Sequence, residues 1–563
     1  MERLLMKSMN ISKMVRKNWI LILIIFVATM LRFYRLGDYP IHLTNDEAGI
    51  GYNAYSILKT ARDEHGSFMP VVFKSFGDWK PGFYIYLTVP FVLLFGLTEF
   101  AIRFPSALFG VLTVGYIYLI TNKMFGKNVA LFASFSLAIS SWHIQFSRGA
   151  WEANAALALL VIAIWFFIKC FEKQKFLLLS SLFFGLTLWT YQSAKLASLL
   201  VLIALFITYK DKLFSLPRRT ISMAIAIGVL ISIPIVFSVF TGKAGRVEVM
   251  SVFSYTRPEE YIEESILRQE NIDKNSIQYI AYHSEPFNLL RGVSGRYFNY
   301  FSGKFLFFEG DWSSQRHSIP NVGYLIIAEL PALLLGFIYL LKNTKDRNVK
   351  FVLLWLLFAP IPAALTRDSV HGVRALNLAV PLSITIGFGM NYIFRLLNRL
   401  KIQIFKLAMF AFVAAIYCYS FAVYLDSYYI QNAYVHAPQY FYGYRETVQA
   451  LGNYSDYNKI VFDQSYDQPY IFFLFYNRYD PKKYQSTSNY IDGINGDVGF
   501  ISSLDKIEFR QINWSSDKHL ENSLVVGRAE AFPMEEVEKP EDYNIERIKY
   551  PGGDDAFLIV DPI

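Results

Sequence analysis

The sequence predicts a polytopic α-helical membrane protein with a small α/β domain at its carboxyl end. Three observations carry that reading. Of 563 residues, 54% are hydrophobic and 18% charged, against roughly 25% charged in an ordinary soluble domain. The apolar residues fall into runs about as long as a bilayer core requires, separated by short clusters of Lys and Arg. After residue 425 this pattern gives way to short β-rich runs between polar, helix-capable stretches. The net charge of +8 is mostly accounted for by the clusters that set topology, so no nucleic-acid partner is expected.

Eleven spans are predicted, at 18–34, 104–121, 127–143, 153–170, 176–191, 195–209, 218–240, 322–341, 350–365, 374–396 and 403–425. The basic opening and the apolar run Trp19 to Leu31 resemble a signal peptide. That run ends in Leu31-Arg32-Phe33-Tyr34, without a small-residue cleavage pattern, and is read as a retained first span. Basic clusters around Arg16/Lys17, Lys123/Lys127, Lys173/Lys175, Lys210/Arg219, Lys342/Lys350 and Arg395/Lys406 are all placed on the cytoplasmic side by the positive-inside rule. The alternation holds only if the apolar stretch 83–98 does not cross, so it is read as an interfacial or re-entrant helix. The outer segments are then 35–103, 144–152, 192–194, 241–321, 366–373 and 426–563.

The expected division is a membrane domain, 1–425, with long outer loops at 35–103 and 241–321, and an outer soluble α/β domain, 426–563. Strand candidates in the latter include Lys459 to Phe462, Ser523 to Val526 and Ala556 to Val560. Cys170 and Cys418, the only cysteines, both lie in or beside apolar runs, so no disulfide framework supports the outer regions.

Polar chemistry gathers on the predicted outer face. Asp46-Glu47 follows the first span, where a carboxylate could take a proton from an attacking hydroxyl. By spacing alone the pair also fits a solvated surface pair or a helix cap. Lys80 opens the apolar stretch 83–98 and is placed to hold a phosphate or to snorkel. Arg103 falls on the side where basic residues are in the minority, which anion binding would explain. Further outer-edge candidates are His143, Arg148, Glu152, Tyr191 and Arg374, with Asp311, Arg316 and His317 in the long loop 241–321. Arg103, Arg148 and Arg374 join Lys80 as expected phosphate contacts, because departure of a lipid phosphate needs cations around the developing charge. Glu329, before Pro331, is a candidate because it lies within a predicted span.

Asp46-Glu47, Lys80-Pro81 before an aromatic run, Arg103-Phe104-Pro105-Ser106-Ala107 and Gly310-Asp311 with Arg316-His317 together resemble the GT-C glycosyltransferases. The closest branch by these motifs holds the protein O-mannosyltransferases and the lipid A aminoarabinose transferases. The resemblance spans roughly 18–425. It implies seven opening spans with two interfacial helices in the first outer loop, a polyprenyl-phosphate sugar donor, and inversion at the anomeric carbon. It also implies Asp46 as catalytic carboxylate with Glu47 its neighbour and rival, Lys80 as phosphate contact, and Arg103 as a cation near the donor. Gly82 departs from the second proline that relatives often carry. The acceptor, whether protein, lipid or glycan, is open, and so is a divalent metal. A transporter or flippase, or a non-catalytic scaffold, would also be polytopic; a transporter should place ionisable residues near the midplane, whereas these gather at one face.

Overall fold

The structure is a computed structural model that describes residues 2–243, 251–252, 273, 275–282, 284–491, 493, 499–537 and 543–562, the first sixteen of them by backbone alone. Its chain forms two compact units. One comprises Met1–Leu31, Val111–Gln145 and Ala156–Tyr424, and the other Arg32–Gly110, Phe146–Ala155 and Leu425–Ile563.

Each predicted span contains helix in the structure, although 322–341 is helical only from Ile327 onward, as a 3-10 turn Ile327–Glu329 followed by helix Leu330–Lys342. Among the described residues, seven helices are long and apolar enough to cross a membrane, or eight if the bent pair Lys127–Ile139 and Ser141–Arg148 is one span. That pair bends by 55°, whereas the sequence predicts one continuous run to residue 143. The break at Ser140 is where hydroxyls turn to main-chain acceptors: Ser140 Oγ donates to Tyr324 O at 3.3 Å and Ser141 Oγ to Gly323 O at 2.6 Å. Residues 144–148, expected in a loop, therefore continue as helix. The apolar stretch 83–98 is a helix of 13 residues, Phe83–Phe95, about 20 Å long against a hydrocarbon core of ~30 Å. Helix Phe176–Leu188, expected to cross, has the same 13 residues, so length alone does not separate the two.

Helix α1, Glu2–Phe33, belongs to the first unit up to Leu31; in the second unit the chain continues through a loop to α2, Asn45–Thr60. Thr44-x-x-Glu47 forms a capping box at the start of α2, the Thr44 side chain accepting from Glu47 N while the Glu47 carboxylate accepts from Thr44 N. Strands β1, Val72–Ser75, and β2, Asp78–Pro81, form an antiparallel hairpin with Phe73 opposite Lys80. The two linking residues, Phe76 and Gly77, have φ of 54° and 83°, as a tight hairpin turn matched to strand twist requires. Helix α3, Phe83–Phe95, follows at once, and α4 is Glu99–Phe125.

Gly82, the departure noted above, has a physical reason here. A Cβ there would lie 2.4 Å from the Phe73 ring, and Gly82 N donates to Val71 O at 3.0 Å. A proline would lose that bond and meet that ring.

Residues beyond 425 contribute a six-stranded mixed sheet in the order Ser503–Leu504, Ile507–Arg510, Lys459–Asp463, Ser523–Gly527, Asp555–Pro562, Tyr543–Lys549. The strands expected near 459, 523 and 556 form its centre. Lys459–Asp463 pairs in parallel with both neighbours. The five residues of Ser523–Gly527 are buried throughout, which is why they read as a continuous apolar run. Helix Pro469–Tyr476, buried from Pro469 to Phe475, shares one hydrophobic core with α2, α3 and this sheet.

Candidate active site

Six predicted site residues fall in the second unit: Asp46, Glu47, Lys80, Arg103, Arg148 and Glu152. Their environments differ sharply. Asp46 stands in the first turn of α2, where the helix end favours negative charge. Its carboxylate pairs with the Lys80 ammonium, and the two side chains are 45% and 21% exposed respectively, so both reach solvent. Lys80 comes from β2 and also faces the Phe76 ring, 5.6 Å from its centre. Burial works most strongly against its charge, but Asp46, Glu152 and Asp78 outweigh it and raise the Lys80 pKa. Lys80 therefore stays charged through neutral pH. Glu152, at the start of helix Glu152–Cys170, lies within electrostatic reach of Lys80 and Asp46.

Glu47, one residue along, has a different role in the structure. It is 4% exposed. Its Oε1 accepts from Arg103 Nε at 3.0 Å and Ala150 N at 2.9 Å, and its Oε2 from Thr44 N at 3.1 Å and Arg103 Nη2 at 3.3 Å. Each carboxylate oxygen thus has two protein donors, which leaves Glu47 no lone pair for a substrate proton.

Arg103 and Arg148, expected as phosphate contacts, are occupied inside the protein. Arg103, fully buried, donates from Nη1 to Leu36 O and Pro40 O at 3.2 and 3.0 Å and from Nη2 to His42 O at 2.7 Å, besides its bonds to Glu47. That consumes the donors a guanidinium has. Arg148, also fully buried, donates from Nε to Tyr428 Oη at 3.0 Å and from Nη2 to Tyr34 O at 2.7 Å and Tyr39 O at 3.3 Å. Its guanidinium lies 5.3 and 5.4 Å from the ring centres of Tyr428 and Tyr429. Both arginines clamp the loop that delivers the chain from α1 to Thr44. His42 ends this loop as a neutral imidazole, since burial lowers its pKa to about 4 against the opposing pull of Glu446, and its Nε2 accepts from Arg445 N at 3.0 Å.

Sequence reasoning missed one buried carboxyl, Glu64. Asn53, two helical turns beyond Asp46 on the same face of α2, donates to Glu64 Oε1 at 2.9 Å and accepts from Glu64 N at 3.0 Å. The i, i+7 spacing of Asp46 and Asn53 was the available signal. Burial raises the Glu64 pKa to about 8, with the Asn53 bond pulling the other way. The folded chain thus binds this proton more tightly than the unfolded one, and stability attributable to Glu64 should fall as pH rises from about 4.3 to about 8. The ceiling is on the order of 5 kcal/mol. Glu64→Gln, which keeps the Asn53 contacts, should flatten this dependence in thermal unfolding between pH 5 and 8. Parallel pH profiles for the two proteins would rule the effect out.

The remaining candidates, His143, Tyr191, Asp311, Arg316, His317 and Arg374, belong to the first unit. His143 is buried in the bent helix Ser141–Arg148, and Tyr191 precedes helix Gln192–Phe214. Arg374, expected at the donor phosphate, is paired with Asp368 at 2.6 Å. Asp311, fully buried, draws residues 311–317 and 371–372 together: Oδ1 accepts from Ser313 N and Ser314 N at 3.0 and 3.1 Å, and Oδ2 from Gly372 N at 2.7 Å, with His317 Nδ1 at 2.9 Å. Arg316 is half-buried beside it and His371 approaches His317, their ring centres 4.8 Å apart. The part of loop 241–321 between 253 and 272 lies outside the described residues.

Residues 80–237 match the family described as dolichyl-phosphate-mannose-protein mannosyltransferase. Across 98% of both chains the fold matches ArnT from Cupriavidus metallidurans in the apo state, with a TM-score of 0.54 at 12% identity. The chain has the GT-C glycosyltransferase fold. ArnT bound to undecaprenyl phosphate also matches, with a TM-score of 0.52 at 13% identity over 97% of this chain and 98% of that one. The Archaeoglobus fulgidus oligosaccharyltransferase in its apo form gives 0.50 at 14% identity, over 82% of this chain and 64% of that one. In sequence, YkcB of Bacillus subtilis, provisionally named a mannosyltransferase, is 29% identical over 151 residues, which is 26% of this chain and 21% of that relative.

Proposed function

We propose that this GT-C protein transfers a sugar from a polyprenyl-phosphate donor to an acceptor on the outer face of the membrane, with inversion at the anomeric carbon. The observation that carries the reading is the Asp46–Lys80 pair, a carboxylate and an ammonium that reach solvent together at the amino end of α2. The matched structures support the donor class: one ArnT structure holds undecaprenyl phosphate, and one of AglB from Archaeoglobus fulgidus holds a dolichol-phosphate and an inhibitory peptide. In the proposed reaction an acceptor hydroxyl loses its proton to Asp46 as its oxygen bonds to the anomeric carbon. The bond from that carbon to the phosphate oxygen breaks, and the electron pair leaves with the polyprenyl phosphate. Lys80 opposes the charge that develops there. The basic clusters support an active face and a domain 426–563 outside the cell membrane.

The test is consumption of a lipid-linked sugar by the purified protein, followed as release of polyprenyl phosphate across a panel of donor sugars. Lys80→Ala should weaken donor use by about 10- to 100-fold, since a charge-assisted hydrogen bond is worth roughly 1.5–3 kcal/mol. A folded protein that consumes no lipid-phosphate sugar, or a Lys80→Ala variant with unchanged donor use, would overturn the reading.

A further inference from the structure

We propose that Asp311, His317 and His371 bind one divalent transition-metal cation, with zinc the species their chemistry favours. Each offers one ligand atom, and the three atoms lie within 4.8 Å of one another. Two imidazoles and one carboxylate select a borderline cation such as zinc over magnesium or calcium, which prefer oxygen donors alone.

The geometry is close to what a metal needs. Bonds of about 2.1 Å place neighbouring ligand atoms about 3.0–3.4 Å apart. Asp311 Oδ2 and His317 Nδ1, at 2.9 Å, already stand near that spacing. His371, the half-buried member, needs to move by at most about 1.5 Å. His371 Nδ1 accepts from Arg374 N at 3.3 Å, a long bond that a cation bound at that nitrogen would displace.

The supporting groups are built in. Asp311 is oriented by the N–H groups of Ser313, Ser314 and Gly372, and His371 N donates to Tyr300 Oη at 2.9 Å. Tyr324 Oη donates to His317 O at 2.8 Å, which fixes the backbone that presents the second imidazole. Such outer partners hold ligands in register before the metal arrives. Three protein ligands leave coordination positions open, so the cation can take water or an anionic oxygen from a bound molecule.

The inference does not rest on the transferase reading, and binding rather than activity tests it. Full-length protein without a polyhistidine tag, purified in detergent and stripped with a chelator, is titrated with ZnCl2, and MgCl2 serves as comparator. One zinc per chain is expected, with no displacement by magnesium. Loss of outer partners alone commonly costs 10- to 100-fold in affinity, so His317→Gln and His371→Gln should each lose at least about 100-fold. Cobalt(II) should give visible absorption bands in the parent protein that His371→Gln lacks. His371→Gln is the deciding variant, because its half-buried side chain is the least built into the fold, and its thermal unfolding without metal should match the parent's. Zinc uptake equal in parent and His371→Gln, or no uptake by folded parent protein, would overturn the site.

Discussion

Asp46→Asn should abolish most sugar transfer while leaving donor binding within a few-fold of the parent protein. Asparagine keeps the side-chain size and an oxygen able to accept from Lys80, but it takes no proton at neutral pH. General-base assistance contributes roughly 10²- to 10⁴-fold, so the loss should fall in or above that range. Glu47→Gln should fail in a different way. All four donors around Glu47 point at its oxygens, and the glutamine amide would turn its own N–H groups toward some of them. That variant should melt earlier than the parent, and any loss of activity should track loss of folded protein. Transfer assayed with one radiolabelled lipid-linked sugar, alongside thermal unfolding, separates the two. Near-normal transfer by Asp46→Asn would remove it as the base.

Arg103→Met should destabilise the protein by about 3–5 kcal/mol, because it leaves the Glu47 carboxylate buried without its cation. The carbonyls of Leu36, Pro40 and His42 would lose their donor at the same time. The double variant Arg103→Met, Glu47→Gln should recover part of the loss, since the stranded charge is then gone. Thermal unfolding in detergent reads both effects. A single variant as stable as the parent would contradict the clamp, and a variant that melts normally but fails to bind donor would return Arg103 to the phosphate.

The helices were legible in the sequence because a bilayer imposes one simple rule, a long apolar run, and the central strands of the carboxyl-terminal sheet because they are buried on both faces. The paired residues Asp46 and Lys80 were visible as motif residues, but Glu47 against Asp46 was not decidable from adjacent letters. Thr44-x-x-Glu47 is a capping signature, and only the four donors converging on Glu47 show that this carboxylate serves as the cap and ion-pair partner. Arg103 and Arg148 show partners that the sequence did not display. A basic residue on the minority side of a membrane needs an anionic or polar partner, and here the partners are Glu47, tyrosines and main-chain carbonyls. Glu64 went unnoticed because its partner Asn53 is ordinary in type and its burial depends on tertiary packing.

The two arginine clamps address peptide carbonyls, at Tyr34, Leu36, Pro40 and His42 among others. Every amino acid supplies the same carbonyl, so the grip is blind to which side chains the loop displays. Substitutions at the exposed positions Tyr34, Arg35 and Asp38 that preserve the path of the main chain should therefore drift freely, while the two arginines and buried Leu36 do not. The loop can then change its surface chemistry, and with it whatever molecule it meets, without disturbing where the Asp46 carboxylate stands.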